Sequence, residues 1–157
     1  MLPRTYDNQV CSVARALEAI GDRWTMLVVR DAFLGVHRFE DFQRDLDIAR
    51  NVLADRLGRL VDDGILERRP YQEKPERFEY RLTEKGLSLW PVLVSLMKWG
   101  DRYAAPDGPP TLILHRDCGG EVDERFRCKV CGADVEARTA EARPGPAAPR
   151  RWPTAVP

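Results

Sequence analysis

The order of helical and strand patterns over residues 39–82 constrains the fold more than any other feature of this chain. Phe39, Phe42 and Leu46 recur at i, i+3 and i+7, which predicts a short amphipathic helix. A longer helical pattern follows at once, over residues 49–63. Two helices joined by so short a connection are typical of a helix-turn-helix.

Two strands are predicted directly after these helices. Residues 65–71 form the first, and residues 77–82 form the second, in which apolar and polar side chains alternate from Phe78 to Leu82. The polar residues 72–76 between them predict the tip of a hairpin. Helices followed by a hairpin are the order of a winged helix-turn-helix, so the predicted fold class is mainly α with a small β-hairpin (α+β).

Flanking patterns extend this domain in both directions. Residues 12–20 and 23–34 are predicted helices, and Asp22 is a suitable cap for the second. Thr83 can cap a last helix, which Pro91 must bend or interrupt.

The composition divides the chain into three zones. Residues 8–105 are the predicted winged helix-turn-helix, serving DNA binding and dimerisation. A Pro/Gly break at 107–110 precedes residues 111–138, which contain three of the four cysteines and are predicted to be a zinc-ribbon-like module. Residues 139–157 are rich in proline and alanine and are predicted to be a flexible tail.

The second helix of the helix-turn-helix has a clear inward face. Leu53, Leu57 and Leu60 fall within roughly 60° of one another at 100° per residue, so they mark the buried side. Asn51 and Gly58 point away from it. In such a fold the N-terminal, outward part of this helix enters the DNA major groove.

Seven side chains are the candidate DNA contacts: Arg38, Arg50, Asn51, Arg56, Arg59, Lys74 and Arg77. Arg50 is suited to guanine O6 and N7, and Asn51 to a bidentate pair with adenine. Arg56 and Arg59 are better placed for phosphates, and the two hairpin residues for a flanking groove or the backbone.

The charge balance of the chain disfavours DNA binding by these side chains. Lysine plus arginine and aspartate plus glutamate are 25 each, and residues 38–81 contain ten basic and eleven acidic side chains. A broad polycationic coat is therefore excluded, and double-stranded DNA must be bound by local placement of charge or by a dimer that doubles the contacts. The alternative is that the helix arginines pair with acids such as Asp55 and Asp62.

Other classes of protein are disfavoured by what the sequence lacks. No apolar run reaches the length of a membrane helix, and residues 1–8 lack the apolar core of a signal peptide. We therefore expect a cytoplasmic protein whose thiols are kept reduced. With two histidines, three serines and none of the nucleophile-elbow, Walker or dinucleotide motifs, no catalytic residue is assigned and an enzyme is not expected.

His115, Cys118, Cys128 and Cys131 have the spacing of a metal site, H-x2-C followed by C-x2-C. Four nitrogen and sulfur ligands suit tetrahedral structural Zn²⁺, with no position left open for catalysis. So small a segment needs the metal in order to fold. The alternatives are a disulfide from Cys118 to Cys128 or Cys131, or free thiols; His37 has no ligand neighbours and is expected to be a turn residue.

The last helix carries more apolar surface than one small winged helix has to cover: Leu89, Trp90, Val92, Leu93, Leu96, Met97, Trp99 and Tyr103. This surplus favours an interface with a second copy of the chain, involving the first helix of the partner. The alternative is that the helix packs only on its own domain.

About residues 8–104 resemble the HxlR-type winged-helix transcriptional regulators of bacteria. Seven stretches carry the resemblance in order: Cys11 to Leu17, Gly21 to Trp24, Arg38-Phe39 with Phe42, Val52 to Leu57, Leu60 to Gly64, Glu79 to Gly86 and Trp99-Gly100. The resemblance implies a cytoplasmic homodimer that binds a partly palindromic operator. Gly58 departs from the polar or charged residue usual in the family.

Cys11 is a candidate redox sensor. It immediately precedes the first helix, and a helix N-terminus lowers the pKa of a thiol. Some members of the family that the chain resembles sense electrophiles or oxidants through a cysteine at this position. The alternative is a small cysteine packed at the dimer contact.

Together these features predict a dimeric, sequence-specific transcriptional regulator with structural Zn²⁺ and a response to a small-molecule or redox effector. A winged-helix/zinc-ribbon adaptor of the transcription machinery, which contacts proteins instead of an operator, is the alternative. A redox or zinc enzyme is a third class, which the closed ligand set and the scarcity of catalytic residues disfavour.

Overall fold

The computed structural model describes residues 5–150 and residue 152, which form two compact units divided between Gly86 and Leu87. The first unit contains α1 (Ser12–Ile20), α2 (Thr25–Phe33), α3 (Phe39–Leu46), α4 (Arg50–Asp62), β1 (Leu66–Glu73) and β2 (Glu76–Leu82). The short helix α5 (Glu84–Leu87) follows at the boundary, and the second unit contains α6 (Trp90–Ala104), β3 (Thr111–His115) and β4 (Ala140–Pro144). Predictions for residues 1–4, 151 and 153–157 lie outside the described residues.

The mixed α+β fold of a winged helix is confirmed in the first unit. Leu53, Leu57 and Leu60 of α4 are buried, as their spacing predicted, and they share the core with Phe42 of α3 and Val28 of α2. Burying these apolar side chains holds the helix-turn-helix in place, at about 1.5–3 kcal/mol for each fully buried one.

The start of α2 differs from the prediction. The helix begins at Thr25, and its N-cap is Trp24 with a left-handed φ of 82°, not Asp22. The Asp22 carboxylate instead accepts a hydrogen bond from Arg59 of α4 at 2.7 Å. A charged partner from another helix therefore outcompetes the local capping bond.

The wing is a longer hairpin than predicted. β1 and β2 pair antiparallel from Leu66↔Leu82 to Glu73↔Glu76, with a bulge between Pro70 and Gln72. The predicted five-residue tip is wrong, because only two residues lie between the strands. Polar side chains do not end antiparallel pairing where both strands face solvent.

The end of the first unit follows its sequence signals closely. The hydroxyl of Thr83 accepts the backbone N–H of Gly86 at 3.1 Å, which confirms Thr83 as a cap. Gly86 has to be glycine, because a Cβ there would lie 2.2 Å from the carbonyl oxygen of Ile65. Pro91 lies in the first turn of α6, so the predicted last helix is interrupted and forms two helices.

The second unit brings α6 together with the cysteine module, and the Trp90 ring lies 5.8 Å from the ring of Phe126. A flexible tail was predicted from residue 139, but β4 pairs with β3 from Thr111↔Pro144 to His115↔Ala140. Backbone pairing with a distant strand thus overrides a composition typical of disorder.

No helix in the described part of the chain is long and apolar enough to cross a bilayer.

Candidate nucleic-acid interface and metal centre

The turn between α3 and α4 positions the candidate recognition helix. Asp47 ends α3 in the left-handed region, with φ of 49°, and Ala49 is the extended N-cap of α4. Ile48 between them is buried, which fixes the turn to the core. The first turn of α4 therefore presents Arg50 and Asn51 to solvent, as the helical spacing predicted.

Two exposed arginines at this end of the unit are stacked on aromatic rings. The Arg50 guanidinium lies 4.8 Å from the centroid of Phe39, and the Arg38 guanidinium lies 4.6 Å from that of Tyr71. A stacked guanidinium loses rotational freedom but keeps its N–H edge available for hydrogen bonds. Both side chains are thus partly pre-organised to meet an acceptor.

Arg56 and Arg59 of α4 are engaged within the protein. Arg59 binds the carboxylates of Asp22 at 2.7 Å and Asp55 at 3.0 Å. Arg56 donates to the carbonyl of Arg23 at 3.1 Å and pairs with Asp55 at 2.5 Å. This is the pairing with Asp55 that the sequence left open as the alternative to phosphate contact. Binding a phosphate would require these bonds to break.

The wing presents a further set of cations. Lys74 lies at the tip and Arg77 near the start of β2, and both are exposed, as predicted. Arg68 of β1 was not predicted as a site residue, yet its guanidinium lies 3.7 Å from the centroid of Phe78. The residue directly opposite Phe78 in the hairpin is Pro70, and Arg68 lies two residues earlier on the same strand. The pair therefore becomes apparent only once the strand register is known.

A polar contact ties the wing to the segment before α3. Nε2 of His37 accepts a hydrogen bond from Arg81 at 2.7 Å, and Glu79 accepts another from Arg81 at 2.9 Å. Burial and the Arg81 charge lower the pKa of His37, so the imidazole is the neutral acceptor that this bond needs. His37 thus lies between α2 and α3 and contacts the hairpin through Arg81, with a role in orienting the hairpin.

The second candidate site brings together the four predicted metal ligands. The ligand atoms of His115, Cys118, Cys128 and Cys131 all lie within 4.8 Å of one another. Cys118 Sγ lies 3.3 Å from Cys128 Sγ and 3.5 Å from His115 Nδ1, and Cys131 Sγ lies 3.3 Å from the same nitrogen. Tetrahedral Zn²⁺ with a Zn–S bond of about 2.3 Å has S–S edges of roughly 3.8 Å. The cluster therefore needs only small adjustments to hold this ion.

The local fold explains how these ligands converge. β3 ends at the buried His115, and the N–H of Gly119 returns to the His115 carbonyl at 2.8 Å. The N–H of Gly132 makes the same return to the Cys128 carbonyl at 2.9 Å. Both glycines have positive φ, near 70°, as the sequence position of a knuckle glycine requires.

Cys128 is the most strongly polarised thiol of the cluster. Its pKa is lowered to about 6, chiefly by the backbone N–H of Cys131 and also by that of Val130. N–H groups directed at sulfur favour the thiolate, which is the form that binds metal. All four cysteines of the chain are free thiols in this structure, so the disulfide alternatives are not observed.

Cys11 belongs to the first unit, whereas this cluster belongs to the second. It is exposed and forms the N-cap of α1. The backbone N–H groups of Ala14 and Val13 lower the pKa of its thiol, as its position before a helix predicted.

Each unit leaves one apolar face exposed. On α6, Trp90, Leu93 and Val94 are buried, which agrees with packing on its own unit. The opposite face is exposed at positions i, i+4, i+7 and i+11: Val92, Leu96, Trp99 and Tyr103. In the first unit the exposed apolar residues around α1 are Val10, Val13 and Leu17.

These features define the class of the protein. A recognition helix with an exposed first turn, seated on a buried leucine face and followed by a two-stranded wing, is the arrangement of a winged-helix DNA-binding protein. The profile of the HxlR-like helix-turn-helix family matches residues 19–108, and the chain belongs to that family.

Similar proteins agree with this assignment. An uncharacterized HTH-type transcriptional regulator of Mycobacterium tuberculosis is 48% identical over 136 residues, covering 86% of each chain. The crystal structure of PA1607 is 42% identical with a TM-score of 0.69, covering 85% of this chain and 94% of that one. The redox regulator HypR in its reduced form is 31% identical with a TM-score of 0.54, covering 59% and 92%. The chain is therefore a helix-turn-helix transcriptional regulator and not an enzyme.

Proposed function

We propose that this regulator binds a partly palindromic operator as a homodimer, with α4 of each copy in a major groove. The observation that carries the proposal is the exposed first turn of α4, where Arg50 is stacked on Phe39 beside the exposed Asn51. Arg50 is assigned to guanine and Asn51 to adenine, the bases whose edges match their donors and acceptors.

The remaining candidate contacts divide into two groups. Arg38, Lys74 and Arg77 are exposed and are assigned to phosphates or to a groove beside the site; Arg68, held on Phe78, joins them. Arg56 and Arg59 are assigned to the protein instead, because both are bound to Asp55 and to the segment before α2.

The same ion pairs reduce the problem posed by the neutral charge balance. Asp55 is exposed on the outward face of α4, where an unpaired carboxylate would repel DNA phosphates. Its carboxylate is bound by Arg56 and Arg59, so its charge is largely compensated before DNA arrives. Local pairing thus supports DNA binding by a chain without net positive charge.

Dimerisation is assigned to the two exposed apolar faces, the one around α1 and the outer face of α6. Trp99 and Tyr103 are 64% and 66% exposed, and large exposed aromatic side chains on one stripe favour burial against a partner. Two-fold symmetry would then place two α4 helices about 34 Å apart, one turn of DNA. Because the proposed partner is chromosomal DNA, we place the protein's action in the cytoplasm.

We assign structural Zn²⁺ to His115, Cys118, Cys128 and Cys131. The sulfur and nitrogen donors converge at near-tetrahedral distances, and four protein ligands leave no site for a substrate. Replacing Cys128 and Cys131 by serine should abolish zinc binding. An unchanged zinc-to-protein ratio in the double variant would contradict the assignment.

A response to thiol oxidation is a further part of the proposal. It is supported by the exposed Cys11 with its lowered pKa and by the similarity to the redox regulator HypR. If Cys11 is the sensor, Cys11→Ser should remove any release of operator DNA by diamide; release that persists in this variant points to another thiol.

The DNA-binding proposal is tested with fluorescence anisotropy on the operator and on random DNA. Arg50→Ala and Asn51→Ala should each weaken operator binding by about 1–3 kcal/mol and leave random DNA unaffected. Arg125→Ala, an exposed arginine of the second unit, is the matched control and should change neither affinity. Equal losses on both DNAs would demote Arg50 and Asn51 to backbone contacts.

The near-neutral charge of residues 38–81 also favours a second candidate, a winged-helix/zinc-ribbon adaptor that binds a protein of the transcription machinery. Such an adaptor would bind operator and random DNA equally weakly. The same titration therefore separates the two candidates.

A further inference from the structure

The segment between the two metal-binding knuckles contacts α6 at two separate places. We call residues 119–127 the zinc loop. Its Phe126 ring lies 5.8 Å from the Trp90 ring, and its Glu121 carboxylate lies 3.5 Å from the Lys98 ammonium. Trp90 and Lys98 are eight residues apart, or roughly 12 Å along the helix. The zinc loop therefore supports both the beginning and the middle of α6.

The contact with Trp90 is made on the face of α6 opposite its exposed stripe, and the contact with Lys98 is made on the flank of the helix. Trp90 is buried, and at 100° per residue it lies roughly 160° from Val92, which begins the stripe of exposed apolar side chains. A change in the zinc loop would thus reach the back of the helix whose front is the proposed dimer contact.

The position of Phe126 depends on the zinc loop being closed. Its φ is 60°, in the left-handed region that is costly for a residue with a large side chain. Two backbone bonds hold it there, from the Val135 N–H to its carbonyl at 2.7 Å and from its own N–H to the Asp123 carbonyl at 3.2 Å. Such a conformation persists only while its surroundings impose it, and the metal ligands Cys118 and Cys128 flank the loop on either side.

The zinc loop is flanked by cysteine metal ligands, whose thiols can bind metal when reduced or form a disulfide when oxidised. Cys118 and Cys131 are exposed, so an oxidant can reach them, and Cys118 Sγ lies 3.3 Å from the buried Cys128 Sγ. Cys11, by contrast, has no second cysteine within its own unit. This cluster therefore brings two thiols of one unit close enough to form a disulfide.

We propose that the cluster is a thiol-oxidation switch that acts on self-association through α6; this rests on the zinc site and the dimer proposed above. A two-electron oxidant such as hydrogen peroxide takes one electron pair from the Cys118 and Cys128 thiolates. A disulfide forms between their sulfurs, the peroxide O–O bond breaks, and two protons from solvent complete two water molecules. Zn²⁺, left with two ligands, is released, and the zinc loop no longer supports Trp90 and Lys98.

The test uses the full-length protein carrying Cys11→Ser, so that only the three cluster thiols remain. Zinc release is followed with a chromogenic chelator, and the dissociation constant of the dimer by sedimentation velocity, before and after hydrogen peroxide. We expect one zinc per chain in the reduced protein, its release on oxidation, and at least a tenfold weaker dimer. Dithiothreitol with added zinc should restore both values.

Two variants distinguish an effect of the contacts between the zinc loop and α6 from general damage to the module. Phe126→Ala should keep one zinc per chain yet weaken the reduced dimer and blunt the effect of peroxide. Val130→Ala, exposed in the same module, is the matched control and should behave as the parent. If Phe126→Ala does not fold by circular dichroism, Lys98→Met, which removes the ion pair with Glu121 and the positive charge near Asp101, should weaken the reduced dimer in the same direction.

The outcomes distinguish this inference from the proposals beneath it. A reduced protein without zinc would overturn the zinc site, and a reduced protein that is monomeric would overturn the dimer; either result removes the switch as well. Zinc release with an unchanged dimer would overturn the switch alone.

Discussion

Replacing Gly58 with alanine tests whether the outward face of α4 serves a partner at the cost of stability. A Cβ at Gly58 would meet no protein atom within 4 Å, so nothing in the described structure requires glycine there. Glycine in a helix interior costs about 1 kcal/mol relative to alanine. Gly58→Ala should therefore stabilise α4 by about 1 kcal/mol.

Hydrogen exchange of the α4 amides measures this directly, because 1 kcal/mol in local opening slows exchange about fivefold. Gly86→Ala is the opposite control. Its Cβ would lie 2.2 Å from the Ile65 carbonyl oxygen, and relieving such overlap costs typically 1–3 kcal/mol, so exchange in the first unit should accelerate. Unchanged or faster α4 exchange in Gly58→Ala would show that Gly58 does not weaken α4.

The same variant also reports on DNA. Gly58 is seven residues after Asn51 and therefore lies on the same face of α4. If that face approaches the operator closely, the added methyl group should lower operator affinity while it stabilises the helix. Unchanged affinity would place the C-terminal half of α4 away from the DNA.

Three other predictions follow from specific contacts. Arg59→Ala should lower the free energy of unfolding by about 1 kcal/mol or less, because the carboxylates that Arg59 binds are partly solvated. The affinity for random DNA should not change. A loss of DNA affinity as large as that of Lys74→Ala would show that Arg59 contacts phosphate. Burial raises the pKa of Asp31, so its contribution to stability is lost as pH rises through that pKa. Asp31→Asn should therefore gain stability relative to wild type from about pH 4 upward in urea unfolding, and a difference independent of pH would contradict this. Leu96→Ala with Trp99→Ala should shift sedimentation toward the monomer, and an unchanged dimer would place the interface elsewhere.

Local patterns were sufficient for the helix-turn-helix itself. The inward leucines of α4 and the Thr83 cap depend on neighbours a few residues away, and the structure has both where the sequence predicted. The strand predicted over residues 77–82 is present as β2, but the burial of its side chains does not alternate, because Phe78 to Leu82 are all half-buried. The convergence of the metal ligands was also predictable, because two knuckles with three-residue spacing leave the chain little choice.

Features that depend on distant residues were not predictable. Asp22 is drawn away from α2 by Arg59, thirty-seven residues later in the chain. β4 exists because β3 offers it a backbone partner, although the sequence AEARP is not typical of a strand. Arg68 meets Phe78 only in the register that the bulge after Pro70 produces.

The claim that this chain is a sequence-specific dimeric regulator is tested by the affinity of the reduced, zinc-loaded protein for the DNA upstream of its own gene. This affinity is measured by anisotropy against random DNA across a salt series. A sequence-specific dimeric regulator should bind the upstream DNA at least about a thousandfold more tightly than random DNA. The slope of affinity against salt would count the phosphates contacted. Equal and weak binding to both DNAs under these conditions would contradict the claim.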